Sequence, residues 1–356
     1  MPNCLASLRG EPGPLALPAA SHALVVLVDG LGSAALSARS GHARTLVSAI
    51  KKGSSIGAGF PTTTASALAT LTTGQAPGQH GLVGYSVLDA AHDRVVNQLS
   101  GWDARLDPAT WQRSTTVFET AAEHGVAAFA IGPPRYSDSG YTRAALRGAE
   151  YLGAASIADR FSRARTVMAS AQPALTYLYV PELDQLAHRH GVESPEWTGA
   201  LEELDAALAA FLPSLTARQG VLVTADHGVI DIAFDAHVIL DARLLDGVRH
   251  LAGEPRAPQL HLEDPASASE VADRLRGALK RTAWVATRAE AVEAGWFGEV
   301  DAEVLPRIGD VLIVARSRVA FYADENNPGR GMVGQHGALT PEETAIPLLR
   351  FGAYAR

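Results

Sequence analysis

One cysteine, Cys4, stands in a chain of 356 residues. That excludes an intramolecular disulfide and any thiolate cage, so a metal here must be held by histidine and carboxylate. An excess of positive charge is also missing. Thirty Lys and Arg face 38 Asp and Glu, a formal net charge of −8. Binding of a nucleic-acid polymer is therefore not expected, whereas a small anion remains compatible because a bound cation reverses the local field. No apolar run approaches the roughly 20 residues that span a bilayer, so no membrane association is expected. The opening "MPNCLASLRGEPGPLALPAASHALVVLVDG" has no basic region followed by an apolar stretch and a cleavage site. Its apolar run at 23–28 is short and lies far from the start, which predicts no secretory signal and a cytoplasmic location. Internal repeats and low-complexity tracts are absent from the sequence as well.

What is present is an ordinary globular composition, 47% hydrophobic and 19% charged. The length suits one large domain or two smaller ones. "ALVVLVDGLG" at 23–32 is a continuous apolar run ending in Asp-Gly, as a strand buried on both faces would be. "VAAFAIG", "ALTYLYV" and "GVLVTADHG" repeat that form, and helical patterns over 62–71, 116–124, 157–171 and 197–212 alternate with them. The alternation predicts an α/β fold with a mainly parallel central sheet flanked by helices. Sites in such sheets lie at the carboxyl ends of strands, which is where Asp29, the Glu182/Asp184 pair and the Asp226-His227 pair fall. From 232 to 333 the texture changes to short strands around one amphipathic helix. This predicts a small α+β subdomain inserted into a core made of 1–231 and 334–356. The Pro/Gly-rich residues 11–18 read as a surface arm.

The candidate residues each have an ordinary explanation alone. Asp184 and His188 are four apart, so on a helix they share a face; this suits a surface ion pair as well as joint ligation. Asp226 and His227 reach one point only if the chain turns, and Gly228 permits a turn. Asp29 could be a plain Asp-Gly turn, and His336 a loop histidine ahead of a helix cap at Thr340. Together, three carboxylates and three histidines make two three-ligand sets for borderline cations. Two ions about 3.5–4 Å apart clamp both oxygens of a phosphoryl displacement. The segment "GFPTTTASALATLTTGQAPGQHG" then acquires a purpose, since a helix N-terminus suits a phosphate and a metal-bound threonine ionises more easily.

In ordered blocks from 24 to about 349 the sequence resembles the nucleotide pyrophosphatase/phosphodiesterases of the alkaline phosphatase superfamily. "VVLVDGLG" resembles the first metal-aspartate strand, and "FPTTTASALATLTTGQAPGQHGLVGY" the nucleophile block. "YVPELDQLAHRHG", "VTADHGV" and "QHGALTPEETAIPLL" are similar to the remaining metal blocks. The resemblance implies one divalent ion on Asp184, His188 and His336. It implies a second on Asp29, Asp226, His227 and the oxygen of Thr64, the nucleophile. Zinc is the expected ion, and manganese or iron also suit these donors. Thr62 and Thr63 are left as helix cap and first-turn residue. The implied reaction is hydrolysis of a small phosphodiester or nucleotide-like substrate through a phospho-threonine. The alternatives are a phosphonate hydrolase, a phosphomonoesterase, or a non-catalytic metal- and phosphate-binding protein.

The sequence departs from the family pattern where an Asn that holds a phosphate oxygen would follow "HGLV". Gly84-Tyr85 stands there instead, and Asn97 is the nearest Asn downstream; Tyr85 and Asn97 are the candidate substrate contacts, with a cap or turn role equally open to Asn97. Ala65 replaces an aromatic after the nucleophile. Trp102, Tyr136 and Tyr141 suit stacking on a ligand or plain core packing. "DGLGSAA" lacks the full Gly-x-Gly-x-x-Gly, which excludes a dinucleotide fingerprint. His22, His190 and His237 are left as supporting or surface residues.

Overall fold

The computed structural model describes residues 1–355. Its frame is a seven-stranded sheet in the order Ser55–Gly57, Ala345–Gly352, Gln219–Thr224, His22–Val28, Ala174–Val180, Ala127–Gly132, Glu150–Gly153. The last five run parallel, and Ala345–Gly352 pairs antiparallel to both of its neighbours. The expected α/β architecture is therefore present, with one antiparallel strand closing it.

The apolar run 22–28 is buried at every position, because helices cover both faces of the sheet. Leu24, Val26 and Val28 pack with the helices Ile157–Met168 and Pro195–Phe211 on one side. Ala23, Val25 and Leu27 pack with Pro2–Leu8, Thr64–Thr73 and Val117–Glu123 on the other. Successive side chains of a strand point to opposite faces, so one unbroken hydrophobic run serves two cores. The helix Val117–Glu123 opens on a capping box, with Thr116 and Glu119 each bonding the other's backbone N–H. Residues 11–18 do run over the surface, but they are pinned: Asn3 Oδ1 accepts from the Leu15 N–H and Leu17 is buried.

Within 232–333 an antiparallel sheet forms in the order Val248–Glu254, Ala257–Leu262, Val311–Ala315, Ala283–Thr287. The amphipathic helix Ala268–Leu279 buries Val271, Ala272, Leu275 and Leu279 against it. The apolar cluster of this unit also takes in Phe60, Val83, Val87 and Val96, which precede it by more than a hundred residues. Tight seating on the core follows from that shared cluster.

A fully buried ion pair adds to the seating. Arg256, between the first two strands of the unit, donates two hydrogen bonds of 2.8 and 2.7 Å to the Glu343 carboxylate of the returning chain. Glu343 also accepts from the Ala338 N–H and the Thr340 hydroxyl. Truncating one partner strands the other charge away from water. Glu343→Ala should therefore cost about 3–5 kcal/mol in a denaturant titration, while Arg256→Leu with Glu343→Leu should cost much less. A single-mutant loss no larger than a surface pair's would mean that water reaches the guanidinium.

Candidate metal centre and nucleophile

The register of the parallel strands brings the first acidic groups together. Val28 lies opposite Val180 and Leu27 opposite Thr224, so the residues that follow each strand emerge at one edge. Asp29 leaves its strand into Gly30, which adopts a positive φ of 73° and donates its N–H to Asp226 Oδ1 at 3.1 Å. The helix Glu182–His190 begins one residue after Val180 and carries Asp184 and His188 on adjacent turns. His336 arrives from the far end of the sequence, past the short strand Gly334–Gln335.

Gly228 serves a purpose other than the expected one. Its φ is not positive; a Cβ at this position would lie 2.0 Å from the Glu342 carbonyl oxygen. The glycine allows the Asp226-His227 turn to lie against the returning chain.

The three histidines share one arrangement. Each Nδ1 faces a backbone carbonyl: Gly228 O at 3.3 Å for His227, Gly334 O at 2.7 Å for His188, and Thr62 O at 2.7 Å for His336. With Nδ1 turned to a carbonyl, Nε2 faces the carboxylates and is the atom that binds a cation once it is free of a proton. His188 Nε2 stands 3.2 Å from Asp184 Oδ2, and His336 Nε2 stands 3.8 Å from Asp184 Oδ1. Around His227 Nε2 lie Thr64 Oγ1 at 3.2 Å, Asp29 Oδ1 at 3.5 Å and Asp226 Oδ2 at 3.5 Å. Ligand atoms of Asp184, His188 and His336 all lie within 4.8 Å of one another, and so do those of Asp29, Asp184 and His227. Asp184 thus stands between the two groups, whereas the family resemblance implies a single one for it.

Electrostatics fit the same conclusion. Burial, with the Asp226 and Asp184 carboxylates beside it, pushes Asp29 well above the usual carboxylate range. Burial would raise Asp184 too, but His188, His336 and His227 outweigh it and hold its carboxyl well below that range. His188 is lifted to about 9, because the Asp184 charge overcomes the burial that would lower it. Burial and the neighbouring His227 ring, stacked at 3.7 Å, press His336 well down. Asp184 Oδ1 and Asp226 Oδ2 are buried without a hydrogen-bond partner among the described residues. Crowded carboxylates with unpaired buried oxygens, facing free imidazole nitrogens, are the donor set a divalent cation satisfies.

Thr64 is the first residue of the helix Thr64–Thr73, two residues later than the periodicity predicts. Thr63 holds the cap position, yet its hydroxyl makes no capping bond and has no hydrogen-bond partner among the described residues. Thr62 does not cap either. Its Oγ1 donates to Ala338 O at 2.8 Å and accepts from Gly337 N–H at 3.0 Å, which ties the His336 loop to the nucleophile segment. The capping roles expected of Thr62 and Thr63 are therefore replaced by a pin and an open helix end.

Asp29, Thr64, Asp184, His188 and His336 line a cavity of about 630 Å³, and Tyr85 lies on its wall. Asn97 does not line it; its Oδ1 accepts from Leu99 N–H and Ser100 N–H in a turn. Trp102 donates its indole N–H to Gln98 O and packs against the apolar cluster that joins Val83 and Val87 to Leu260 and Ile313. Tyr136 lines the cavity, and Tyr141 donates to Ala65 O at 2.8 Å, one residue past Thr64. His190 is exposed, His22 bonds Ser21 and Ser170, and His237 stacks on Tyr322.

Sequence reasoning passed over Tyr179, whose hydroxyl donates to Asp29 Oδ2, and Glu254, buried on the cavity wall. A tyrosine one residue short of a buried strand's end was the available signal for the first. Nothing in the local pattern marks the second.

The sequence profile of the type I phosphodiesterase / nucleotide pyrophosphatase family matches residues 23–339. The chain belongs to that family. Among solved structures, murine ectonucleotide pyrophosphatase/phosphodiesterase 5, an inactive variant in complex with AMP, superposes with a TM-score of 0.74 at 20% identity, covering 93% of this chain and 88% of that one. The human protein of the same name gives 0.72 at 18%, covering 93% and 87%. At such identities the likeness speaks for the fold, which is alkaline phosphatase-like. An uncharacterized pyrophosphatase/phosphodiesterase of Schizosaccharomyces pombe is 24% identical over 199 residues, 51% of this chain and 39% of the relative. Ectonucleotide pyrophosphatase/phosphodiesterase 1 of Saccharomyces cerevisiae is 30% identical over 122 residues, 30% of this chain and 16% of the relative. The chain thus aligns with well under half the length of either yeast protein. Among the described residues no helix is long and apolar enough to cross a membrane.

Proposed function

We propose that this chain hydrolyses phosphodiester or phosphoanhydride bonds through a covalent phospho-threonine at Thr64. The observation that carries the reading is the position of Thr64 Oγ1, 3.2 Å from His227 Nε2 and 3.5 Å from Asp29 Oδ1, at the mouth of an uncapped helix. Asp184, His188 and His336 would hold one divalent cation, zinc by preference, and Asp29, Asp226 and His227 a second. Such cations lower the pKa of a coordinated hydroxyl and neutralise charge on a transferring phosphoryl group.

The chain's own residues supply the remainder. The first N–H groups of the helix Thr64–Thr73 have no intrahelical acceptor and no capping side chain, so they are free to bind a non-bridging phosphate oxygen. Thr64 Oγ1 bonds to phosphorus as the ester oxygen opposite departs. Water then hydrolyses the phospho-threonine and restores the hydroxyl. Tyr179 holds Asp29 in place, and Tyr141 anchors the first turn of the helix. Residues 232–333 are taken as the inserted unit that closes the cavity from the outside.

The test is direct capture of the intermediate. Acid quenching during turnover of bis(p-nitrophenyl) phosphate should leave phosphate on the peptide that contains Thr64, detected by mass spectrometry. Phosphate on another residue, or steady turnover with none trapped under single-turnover conditions, would remove Thr64 from this role.

A further inference from the structure

Much of the cavity's lining comes from the inserted unit, at 251–258 and 321–332, and its character bears on which phosphodiester fits. Among the described residues, no lysine and no arginine lines the cavity. From the inserted unit, Glu254 is the one carboxyl on the lining, and a carboxyl supplies no positive charge in either protonation state. It is 4% exposed. Its Oε1 accepts from the Tyr85 N–H at 2.6 Å, and its Oε2 has no partner among the described residues. Burial raises it to about 8, with the hydrogen bond from the Tyr85 N–H opposing.

The nearest arginines are committed elsewhere. Arg135 lies over the Tyr136 ring and donates to Tyr136 Oη and Gln185 Oε1. Arg330 donates to Glu325 O and faces His237 Nδ1. Away from the ligand groups the lining is largely aromatic and apolar, with Tyr85, Tyr136, Phe321, Tyr322, Leu251 and Pro258, and its other polar side chains, such as Ser86, Gln185, Asn327 and Gln335, are uncharged. The two ligand groups answer the charge of one reacting phosphate. A further phosphate on the substrate would meet aromatic rings and an acid, and groups of that charge are normally received by arginine, lysine or a nest of N–H groups.

We propose that the substrate is a phosphodiester with a single negative charge whose ester groups are uncharged and largely apolar, and that the wall built by the inserted unit rejects substrates bearing a second phosphate. The proposal rests on the hydrolytic reading of Thr64 and narrows it. It separates this chain's site from one suited to nucleoside polyphosphates.

The experiment compares two substrates that share the scissile bond and differ by one phosphate, thymidine 5′-(p-nitrophenyl phosphate) and its 3′-phosphorylated counterpart. With zinc supplied, kcat/KM should fall about tenfold or more with the added phosphate, mainly through KM. Calorimetric binding of both compounds to zinc-loaded Thr64→Ala should show the same order. Ala323→Arg places a cation on the exposed rim of this wall and should narrow the gap. Equal kcat/KM and equal affinity for the two compounds would overturn the proposal and leave the hydrolytic reading standing. An unchanged gap in Ala323→Arg would overturn the assignment of the rejection to the inserted wall. Failure to cleave either compound, with zinc bound, would remove the hydrolytic reading itself.

Discussion

Thr64→Ala should lose at least about a thousandfold in kcat on bis(p-nitrophenyl) phosphate, because the proposed covalent route needs that hydroxyl and a water held elsewhere does not replace it. The same substitution should barely touch stability. The Thr64 hydroxyl reaches only His227 Nε2 and the Asp29 carboxylate, both of which retain other partners, so its loss costs about 1 kcal/mol or less. Metal content should also persist, since three side chains of that group remain. Rate, melting temperature and metal stoichiometry measured on one preparation therefore separate a lost nucleophile from a lost support. If the variant kept more than a tenth of its rate, the unpartnered hydroxyl of Thr63 would become the candidate, because Thr62 is committed to the His336 loop.

Asp184→Ala should have the second large effect, on metal content. Asp184 is shared by both ligand groups, with His188 and His336 on one side and Asp29 and His227 on the other. Its removal should therefore empty at least one position and weaken the other, a larger loss than truncating a ligand that serves a single ion. Elemental analysis after dialysis should show a drop from about two ions per chain to one or fewer, with turnover falling in parallel. Unchanged metal content would falsify the ligand assignment while leaving the nucleophile untouched. Asp184→Asn keeps the shape and removes the charge, so it should resemble the alanine variant if charge is what holds the ions.

The frame was legible because sheet physics writes itself into local sequence. A strand covered on both faces must be apolar at every position, so 22–28, 174–180 and 219–224 stand out as runs. Their carboxyl ends mark where a site is expected in such a sheet, and Asp29, Asp184, Asp226 and His227, read from that rule, do lie together there. His336 required the order of motif blocks, since no local feature links it to strands a hundred or more residues earlier. What stayed hidden depends on surfaces meeting in three dimensions. Tyr179 reaches Asp29 because Leu27 and Tyr179 share a register that composition cannot give. Gly228 looked like a turn residue, and its reason is a carbonyl of residue 342 lying where a side chain would go. Asn97 suits a turn as well as it suits a missing phosphate ligand, and the turn is what forms, with the N–H groups two and three residues on donating to its side-chain oxygen. Glu254 belongs to a segment whose sequence reads only as a strand end.

The Arg256–Glu343 pair carries a kinetic consequence. Swinging the outer unit away would pull a guanidinium from its carboxylate in a region with no solvent to compensate, and would also expose the apolar seam around Phe60 and Val83. The unit therefore behaves as masonry rather than a door. On the proposed hydrolytic reading, substrate and product would exchange through a standing aperture, and chemistry or product release would set the pace instead of hinge motion.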